Sequence, residues 1–191
     1  MIPLALMLLI AIYIFIERLV VLKKASKEDS SFMNRVKDYI YDGKIDSALN
    51  LCRDTNTPSA RMIEKGISRL GRPMSDVLVA IENVGNIEIA KLEKGFTIMA
   101  TIAGGAPMVG FLGTVIGMVQ AFDDIERAGD ISPTIVAGGM KVALLTTIFG
   151  LIVAIILQIF YNYILTKIES LVDQMEDGSI SFMDILVKYH K

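Results

Sequence analysis

Two threonine hydroxyls, Thr114 and Thr147, stand among small residues in the two longest uncharged stretches of this sequence, with the amide of Gln158 further along the second. Polar side chains at membrane depth tend to face the protein interior or a water-filled cavity, so these groups could line an ion path. Neither stretch contains Asp, Glu, His, Lys or Arg. If protons cross here, the titrating acid has to come from another polypeptide.

Small residues accompany both hydroxyls at helical spacing, which places each set on one helix face. They are Gly110, Gly113, Gly117 and Ala121 on the first stretch, and Ala143, Gly150 and Ala154 on the second. A Gly-x-x-x-Gly pair also lets two helix backbones approach closely, so the same pattern is typical of simple helix packing. From the residues alone, a polar path and a packing surface both stay open.

The stretches that carry these residues are long enough to cross a membrane, whose hydrocarbon core of about 30 Å needs roughly 20 helical residues. We predict an all-α membrane protein with transmembrane helices at 1–22, 95–122 and 142–166. The first has only sixteen uncharged residues, so either Glu17 and Arg18 lie at the interface or the true start is upstream of Met1. A cleaved signal peptide is disfavoured, because the positive charges follow the apolar run.

The distribution of positive charge predicts the orientation of the spans. Residues 23–94 carry thirteen Lys and Arg, whereas the link at 123–141 is acidic, and we interpret Asp123 and Asp124 there as solvated helix-end residues. By the positive-inside rule, 23–94 form a cytoplasmic helical domain, 123–141 a short periplasmic loop and 167–191 a cytoplasmic tail helix. We therefore expect an inner-membrane protein with a periplasmic amino terminus and a cytoplasmic carboxyl terminus.

Helical periodicity continues outside the spans. Short helices are predicted within 32–74, one of them starting with Thr57 as N-cap and Pro58 as its first residue. An unbroken helix is predicted over 75–122, and the third helix should continue until Asp177-Gly178-Ser179 interrupts it. These extensions should form a helical bundle, packed either between subunits or within one chain.

Composition excludes several functions. Hydrophobic residues make up 53% of the chain, the mean hydropathy is +0.53 and the net charge is −2, which does not suggest nucleic-acid binding. The sequence has no phosphate-binding loop, no metal-spaced His or Cys cluster and no nucleophile–base constellation. We expect no enzyme activity, no catalytic residue, no cofactor and no metal, and a reduced thiol at Cys52. His190, at the extreme tail, is interpreted as a solvated residue.

Two runs give the sequence a specific resemblance. One extends from Leu92-Glu93-Lys94 through 106–118 to Ala121-Phe122 and contains Leu-Gly-Thr-Val-Ile-Gly-Met, and the other covers 143–155 with Ala-Leu-Leu-Thr-Thr-Ile-Phe-Gly-Leu. In this order and separation they resemble the ExbB/TolQ/MotA family of proton-channel subunits. Three spans favour ExbB or TolQ over MotA, and the chain is judged most like ExbB.

The resemblance implies a homo-oligomeric ring, a pentamer in the best-understood cases, embedded in membrane lipid. The ring would enclose the single-span helices of an ExbD-like or TolR-like partner, whose membrane Asp takes the proton, and Thr114 and Thr147 would be the pore threonines. The work would pass to TonB or TolA, so the implied function is a stator subunit that energises TonB-dependent uptake. A TolQ-type role in envelope integrity and a non-conducting scaffold are the alternatives. One departure is Val142, where many relatives have Glu.

Overall fold

The fold is entirely helical in the part of the chain that the computed structural model describes, which is residues 2–26, 31–129 and 133–189. No strand occurs in these ranges. The helices are α1 (Ile2–Ala25), α2 (Phe32–Tyr41), α3 (Ile45–Thr55), α4 (Pro58–Ile67), α5 (Met74–Leu92), α6 (Phe96–Ala128) and α7 (Pro133–Tyr189). His190 lies outside the described residues.

Three helical segments are long and apolar enough to cross a membrane. They are Ile2–Ala25, Met74–Ala128 and Val136–Lys188, and the middle one covers both α5 and α6. The prediction of an all-α chain with three candidate spans is confirmed, and the chain is a membrane protein. The uncharged run at 95–122 belongs to α6 and the run at 142–166 to α7.

The prediction of one unbroken helix over 75–122 is wrong. Helix α5 ends at Leu92 and α6 begins at Phe96, with Gly95 as N-cap in the left-handed region at φ 81°. A residue with a Cβ is strained in that conformation, whereas glycine adopts it without steric cost. Glycine at this position therefore permits the break.

The predicted interruption at Asp177-Gly178-Ser179 is also wrong, because α7 runs without a break from Pro133 to Tyr189. One glycine in a helix interior costs only about 1 kcal/mol relative to alanine. Downstream of Gly178, Phe182 and Leu186 are almost fully buried, and their packing outweighs that cost. The connection predicted at 123–141 is largely helical too, because α6 extends to Ala128 and α7 starts at Pro133.

The first of two compact units comprises 1–17 and 95–164, and so holds most of α1, all of α6 and the first part of α7. Its core is a cluster of small and aliphatic residues from the three helices: Leu4, Ala11, Ile102, Ala103, Ala106, Val153 and Leu157. Stacked rings add to it, with centroids 4.1 Å apart for Phe15 and Phe160 and 4.2 Å apart for Phe96 and Tyr161. This three-helix packing holds α6 against α7.

The second unit comprises 18–94 and 165–191. Its largest fully buried side chains include Phe32, Ile40, Ile63, Ile67, Ile81 and Phe182. The predicted start of α4 is confirmed: the Ala60 amide donates to the Thr57 hydroxyl over 3.3 Å, and Pro58 occupies the first turn. Such a cap satisfies one of the amides that a helix start leaves without an intrahelical partner.

One carboxylate is buried in the second unit. The side chain of Glu88 is 4% exposed and accepts hydrogen bonds from Arg61 over 2.5 Å and from Lys91 over 2.7 Å. Burial raises the pKa of the Glu88 carboxyl, but the hydrogen bonds and charges of Arg61 and Lys91 outweigh burial and hold this pKa below its usual 4.5. The ion pair thus joins α4 to α5 in the charged part of the chain.

Candidate ion-path site between α6 and α7

The backbones of α6 and α7 come into close contact at two glycines. A Cβ added at Gly150 would lie 2.8 Å from the Gly110 Cα and 2.9 Å from the Ala106 carbonyl oxygen. A Cβ added at Gly110 would lie 3.0 Å from the Gly150 Cα. Only a residue without a side chain lets the two backbones meet at this distance, which is the geometry of small-residue packing.

The hydroxyls of Thr114 and Thr147 meet across this contact, one helical turn from the two glycines, and are hydrogen-bonded to each other. Thr114 Oγ1 is also 3.0 Å from the carbonyl oxygen of Ala143. The Gly110 carbonyl oxygen lies 3.5 Å from the Thr114 hydroxyl and 3.4 Å from the Thr147 hydroxyl. Both side chains are half-buried.

Each threonine hydroxyl has one hydrogen to donate and two lone pairs to accept with. If Thr114 donates to Ala143, Thr147 donates to Thr114; if Thr114 donates to Thr147, the hydrogen of Thr147 is directed to the Gly110 carbonyl. In both arrangements the two hydroxyl hydrogens are donated to acceptors within the chain. At least one lone pair of the hydroxyl oxygens remains without a hydrogen bond. The resting pair therefore offers acceptors to a third group.

The other predicted small residues continue the same contact along α6. A Cβ at Gly113 would lie 2.7 Å from the Cβ and Oγ1 of Thr146, and one at Gly117 would lie 3.0 Å from the Cβ of Ala143. Sequence reasoning missed two participants, Thr146 and Gly139. The Thr146 hydroxyl donates to the Ala143 carbonyl over 2.7 Å.

Gly139 meets Ala121, whose Cβ would overlap a side chain added at Gly139. The signal that could have found Gly139 is its spacing of four residues before Ala143, which continues the small-residue face of α7 toward its start.

Two predicted residues lie away from the hydroxyl pair. Ala154 packs against the core of the first unit. Gln158 is exposed and donates to the side-chain oxygen of Asn162 over 3.2 Å. It is eleven residues from Thr147, about 16 Å along a helix at 1.5 Å per residue. Within one chain, its amide therefore does not join the threonine pair.

Large apolar side chains cover the faces of α6 and α7 that point away from this contact. Those at least half exposed include Met108, Phe111, Leu112, Ile116, Val119, Phe122, Val142, Leu144, Ile148, Ile155 and Ile159. Asp123, Asp124 and Val142 are themselves exposed. Among the described residues there is no group of His, Cys, Asp and Glu that could hold a metal ion. These apolar faces suit lipid chains or neighbouring membrane helices.

The fold and the site together define a class: a multi-span helical membrane protein in which two hydroxyls and backbone carbonyls meet at the contact between α6 and α7. Residues 54–177 match the family described as the MotA/TolQ/ExbB proton channel family. The match covers more than half of the chain, so this protein belongs to that family. The family consists of channel subunits and is not known as an enzyme family.

Curated relatives agree with this assignment. A putative biopolymer transport protein ExbB homolog of Methanothermobacter thermautotrophicus is 34% identical over 171 residues, which cover 87% of this chain and 61% of the relative. The biopolymer transport protein ExbB of Aquifex aeolicus is 43% identical over 89 residues, covering 44% of this chain and 60% of the relative. The biopolymer transport protein ExbB of Neisseria gonorrhoeae is 27% identical over 161 residues, which cover 77% of this chain and 72% of the relative. The resemblance to ExbB is thus confirmed, although the matched region spans under two thirds of the first relative.

Proposed function

We propose that this chain is the channel-forming stator subunit of an inner-membrane motor that uses the proton motive force to energise TonB-dependent uptake. In this proposal, copies of the chain surround the single-span helix of an ExbD-like or TolR-like partner. The amino terminus is periplasmic and the carboxyl terminus cytoplasmic. Support comes from family membership, from the ExbB names of the relatives and from the hydroxyl pair between α6 and α7.

The observation that carries the proposal is the hydrogen bonding of Thr114 and Thr147. Because both hydroxyl hydrogens are used inside the chain, the pair accepts a hydrogen bond from a protonated carboxyl group brought by the partner. When that carboxyl loses its proton, the Thr147 hydroxyl rotates toward it and donates. The pair thus stabilises both protonation states, and the acid can load and release a proton at one place.

The membrane potential supplies the driving force, at about 2.3 kcal/mol per charge for each 100 mV. The chain itself has no acid or base at 95–122 or 142–166. Conduction by this chain alone is therefore not expected, and conduction should appear only with a partner that has a carboxylate in its span.

The test is Thr147→Val, which preserves the shape of the side chain and removes the hydroxyl. We expect proton uptake into liposomes containing the chain and its single-span partner to fall at least tenfold, measured with a pH-sensitive dye under an imposed potential. The matched control is Thr101→Val, because the exposed Thr101 hydroxyl on the same α6 bonds only its own helix, at the Thr97 carbonyl. Wild-type proton flux through Thr147→Val would refute the role of this hydroxyl.

A non-conducting scaffold is the second candidate, favoured by the backbone contact between Gly110 and Gly150. A scaffold predicts that glycine substitutions at this contact break assembly. It also predicts that Thr147→Val, like the control Thr101→Val, leaves assembly and function unchanged. Complementation experiments distinguish a TolQ-type role from a role in TonB-dependent uptake. Rescue of energy-dependent uptake supports the first assignment, and rescue of detergent resistance supports the second.

A further inference from the structure

A small pocket with three cationic side chains opens on the second unit, where α1, α4 and α5 come together. Its lining includes Val21 and Lys24 of α1, Pro58 and Arg61 of α4, and Glu88 and Lys91 of α5. Its volume is about 240 Å³. Pockets that hold drug-sized molecules have roughly 300–1,000 Å³, so this one suits a smaller group. We call it the α1–α4–α5 pocket.

The charges around the α1–α4–α5 pocket favour an anion. The charged side chains in its lining are Lys24, Arg61, Lys91 and Glu88, which together carry a net charge of +2. One turn earlier on α1, Glu17 and Arg18 add charges of opposite sign that leave this sum unchanged. Among the described residues Lys24 forms no ion pair, so its charge is available to a ligand.

The guanidinium of Arg61 is held in place and still has donors left. Its Nη1 donates to the Asn56 carbonyl oxygen over 2.8 Å and to the Asn56 Oδ1 over 2.7 Å, and its Nη2 donates to Glu88 over 2.5 Å. A guanidinium has five N–H donors, so two remain. One of them is the Nε–H, which is buried and has no acceptor among the described residues. A buried donor without an acceptor is unfavourable, and a ligand oxygen would relieve this cost.

The two lysines of the pocket also have hydrogens to donate. Lys91 donates to Glu88 over 2.7 Å, which uses one of the three hydrogens of its ammonium group. The Lys24 side chain is exposed at the rim. A phosphate group has negative charge and several acceptor oxygens, and both arginine and lysine bind it well. Phosphate is therefore the chemical group that fits these donors.

The α1–α4–α5 pocket lies where two candidate membrane spans end. Lys24 is in the last turn of α1, after the apolar run that ends at Ile16. Lys91 is in the last turn of α5, four residues before the uncharged run that begins at Gly95. Arg18 joins the two helix ends by donating to the Lys91 carbonyl over 3.1 Å. A phosphate held here would be at the level of lipid head groups.

We propose that the α1–α4–α5 pocket binds the phosphate of an anionic phospholipid, with Lys24, Arg61 and Lys91 as donors. Val20 and Val21, which are 64% and 36% exposed, offer the acyl chains an apolar surface one turn away on α1. In the orientation given under the proposed function, the pocket faces the cytoplasmic leaflet, where anionic lipids attract basic groups. The inference goes beyond that function, because a lipid site does not require conduction.

Quenching of tryptophan fluorescence by brominated lipid tests the site in the intact chain. The sequence contains no tryptophan, so Val20→Trp places a single reporter at an exposed position beside the pocket. The chain is reconstituted in vesicles that contain either brominated phosphatidylglycerol or brominated phosphatidylcholine. Salt is kept at about 0.15 M, where the attraction between exposed charges is screened beyond about 8 Å. We expect about a tenfold preference for phosphatidylglycerol, as for one charge-assisted hydrogen bond.

Substitutions of neighbouring lysines separate the pocket from a diffuse positive surface. In the Val20→Trp background, Lys24→Gln should abolish most of the preference, and Lys24→Arg should retain it. The matched control is Lys23→Gln, which removes the same charge from an exposed position on the same turn of α1. This control should keep the preference within about twofold, because residue 23 points in another direction around the helix. Equal losses from Lys23→Gln and Lys24→Gln would overturn the site.

Two further outcomes would also overturn the inference. Equal quenching by the two lipids in the reporter chain would mean that a protein surface covers the pocket instead of a lipid. Complete displacement of phosphatidylglycerol by millimolar inorganic phosphate would mean that the ligand is a free phosphate. None of these measurements involves proton flux, so the lipid site and the proposed function fail separately.

Discussion

Replacing Gly150 by alanine probes the α6–α7 contact with a single methyl group. The new Cβ would lie 2.8 Å from the Gly110 Cα and 2.9 Å from the Ala106 carbonyl oxygen, both of them backbone atoms that cannot rotate away. Non-bonded carbons normally sit about 3.5–4.0 Å apart. The helices must therefore separate by about 1 Å at this level.

The energetic and the functional consequences of this separation differ. Overpacking costs about 1–3 kcal/mol. The higher helix propensity of alanine returns roughly 1 kcal/mol, so the net loss of stability is about 0–2 kcal/mol. The hydrogen bond from Thr114 to the Ala143 carbonyl, 3.0 Å long and one turn away, would stretch toward about 4 Å and break. We expect a folded protein whose proton conduction is lost.

The assay is dye-reported proton uptake into liposomes that contain the chain and its single-span partner, with thermal unfolding followed by circular dichroism. Gly104→Ala and Gly138→Ala are matched controls on α6 and α7, because a Cβ at either position meets nothing within 4 Å. Both controls should conduct normally and unfold at or above the wild-type temperature. Wild-type conduction by Gly150→Ala would refute the link between helix distance and the hydroxyl pair.

Two further substitutions test the second unit. Glu88→Gln should destabilise it by about 1.5–3 kcal/mol at neutral pH, because charge-assisted hydrogen bonds from Arg61 and Lys91 are weakened. Since the Glu88 carboxyl has a lowered pKa in the folded protein, its contribution is complete above the ordinary value of 4.5 and is lost as the pH falls through the lower folded value. The difference in unfolding temperature between wild type and variant should therefore shrink in acid, and a constant difference contradicts the assignment. Thr57→Ala removes the hydroxyl that accepts the hydrogen bond from the Ala60 amide and should lower the free energy of unfolding by about 0.5–2 kcal/mol. Thr57→Ser keeps a hydroxyl at this position and should retain most of that stability. Equal unfolding temperatures for the two variants would show that the cap contributes nothing.

Much of the fold could be predicted because hydropathy and helical periodicity are local properties of the sequence. The three apolar spans and the start of α4 at Thr57-Pro58 follow from such signals. The break at Gly95 and the continuity of α7 through Gly178 do not. A glycine is compatible both with the end of a helix and with its continuation. Which of the two occurs depends on the tertiary packing of residues such as Phe182, and no local sequence pattern shows this packing.

The candidate site was predictable in its residues and less so in its geometry. Spacing alone puts Thr114 and Thr147 on small-residue faces, but it does not give the pairing between helices. The register of α6 against α7 decides that Thr146 meets Gly113. Gln158 shares the predicted face of α7, but eleven residues of the same helix separate it from Thr147, so it lies well away from the hydroxyl pair. Helical periodicity gives the direction in which a side chain points around the helix axis. It gives neither the position along that axis nor the residue that the side chain contacts on a neighbouring helix.

Helix packing and an ion path look like rival interpretations of the small-residue stripe, but the structure makes one the condition of the other. The Thr114 and Thr147 hydroxyls can meet only because Gly110 and Gly150 let the backbones approach. A glycine substitution therefore removes both features at once and cannot separate a channel from a scaffold. Thr147→Val separates them, because it leaves the glycine contact intact and deletes one hydroxyl. An interhelical hydrogen bond in a membrane contributes on average only about 0.6 kcal/mol, so this variant should assemble almost as wild type and any large loss of conduction has to come from the chemistry of the hydroxyl.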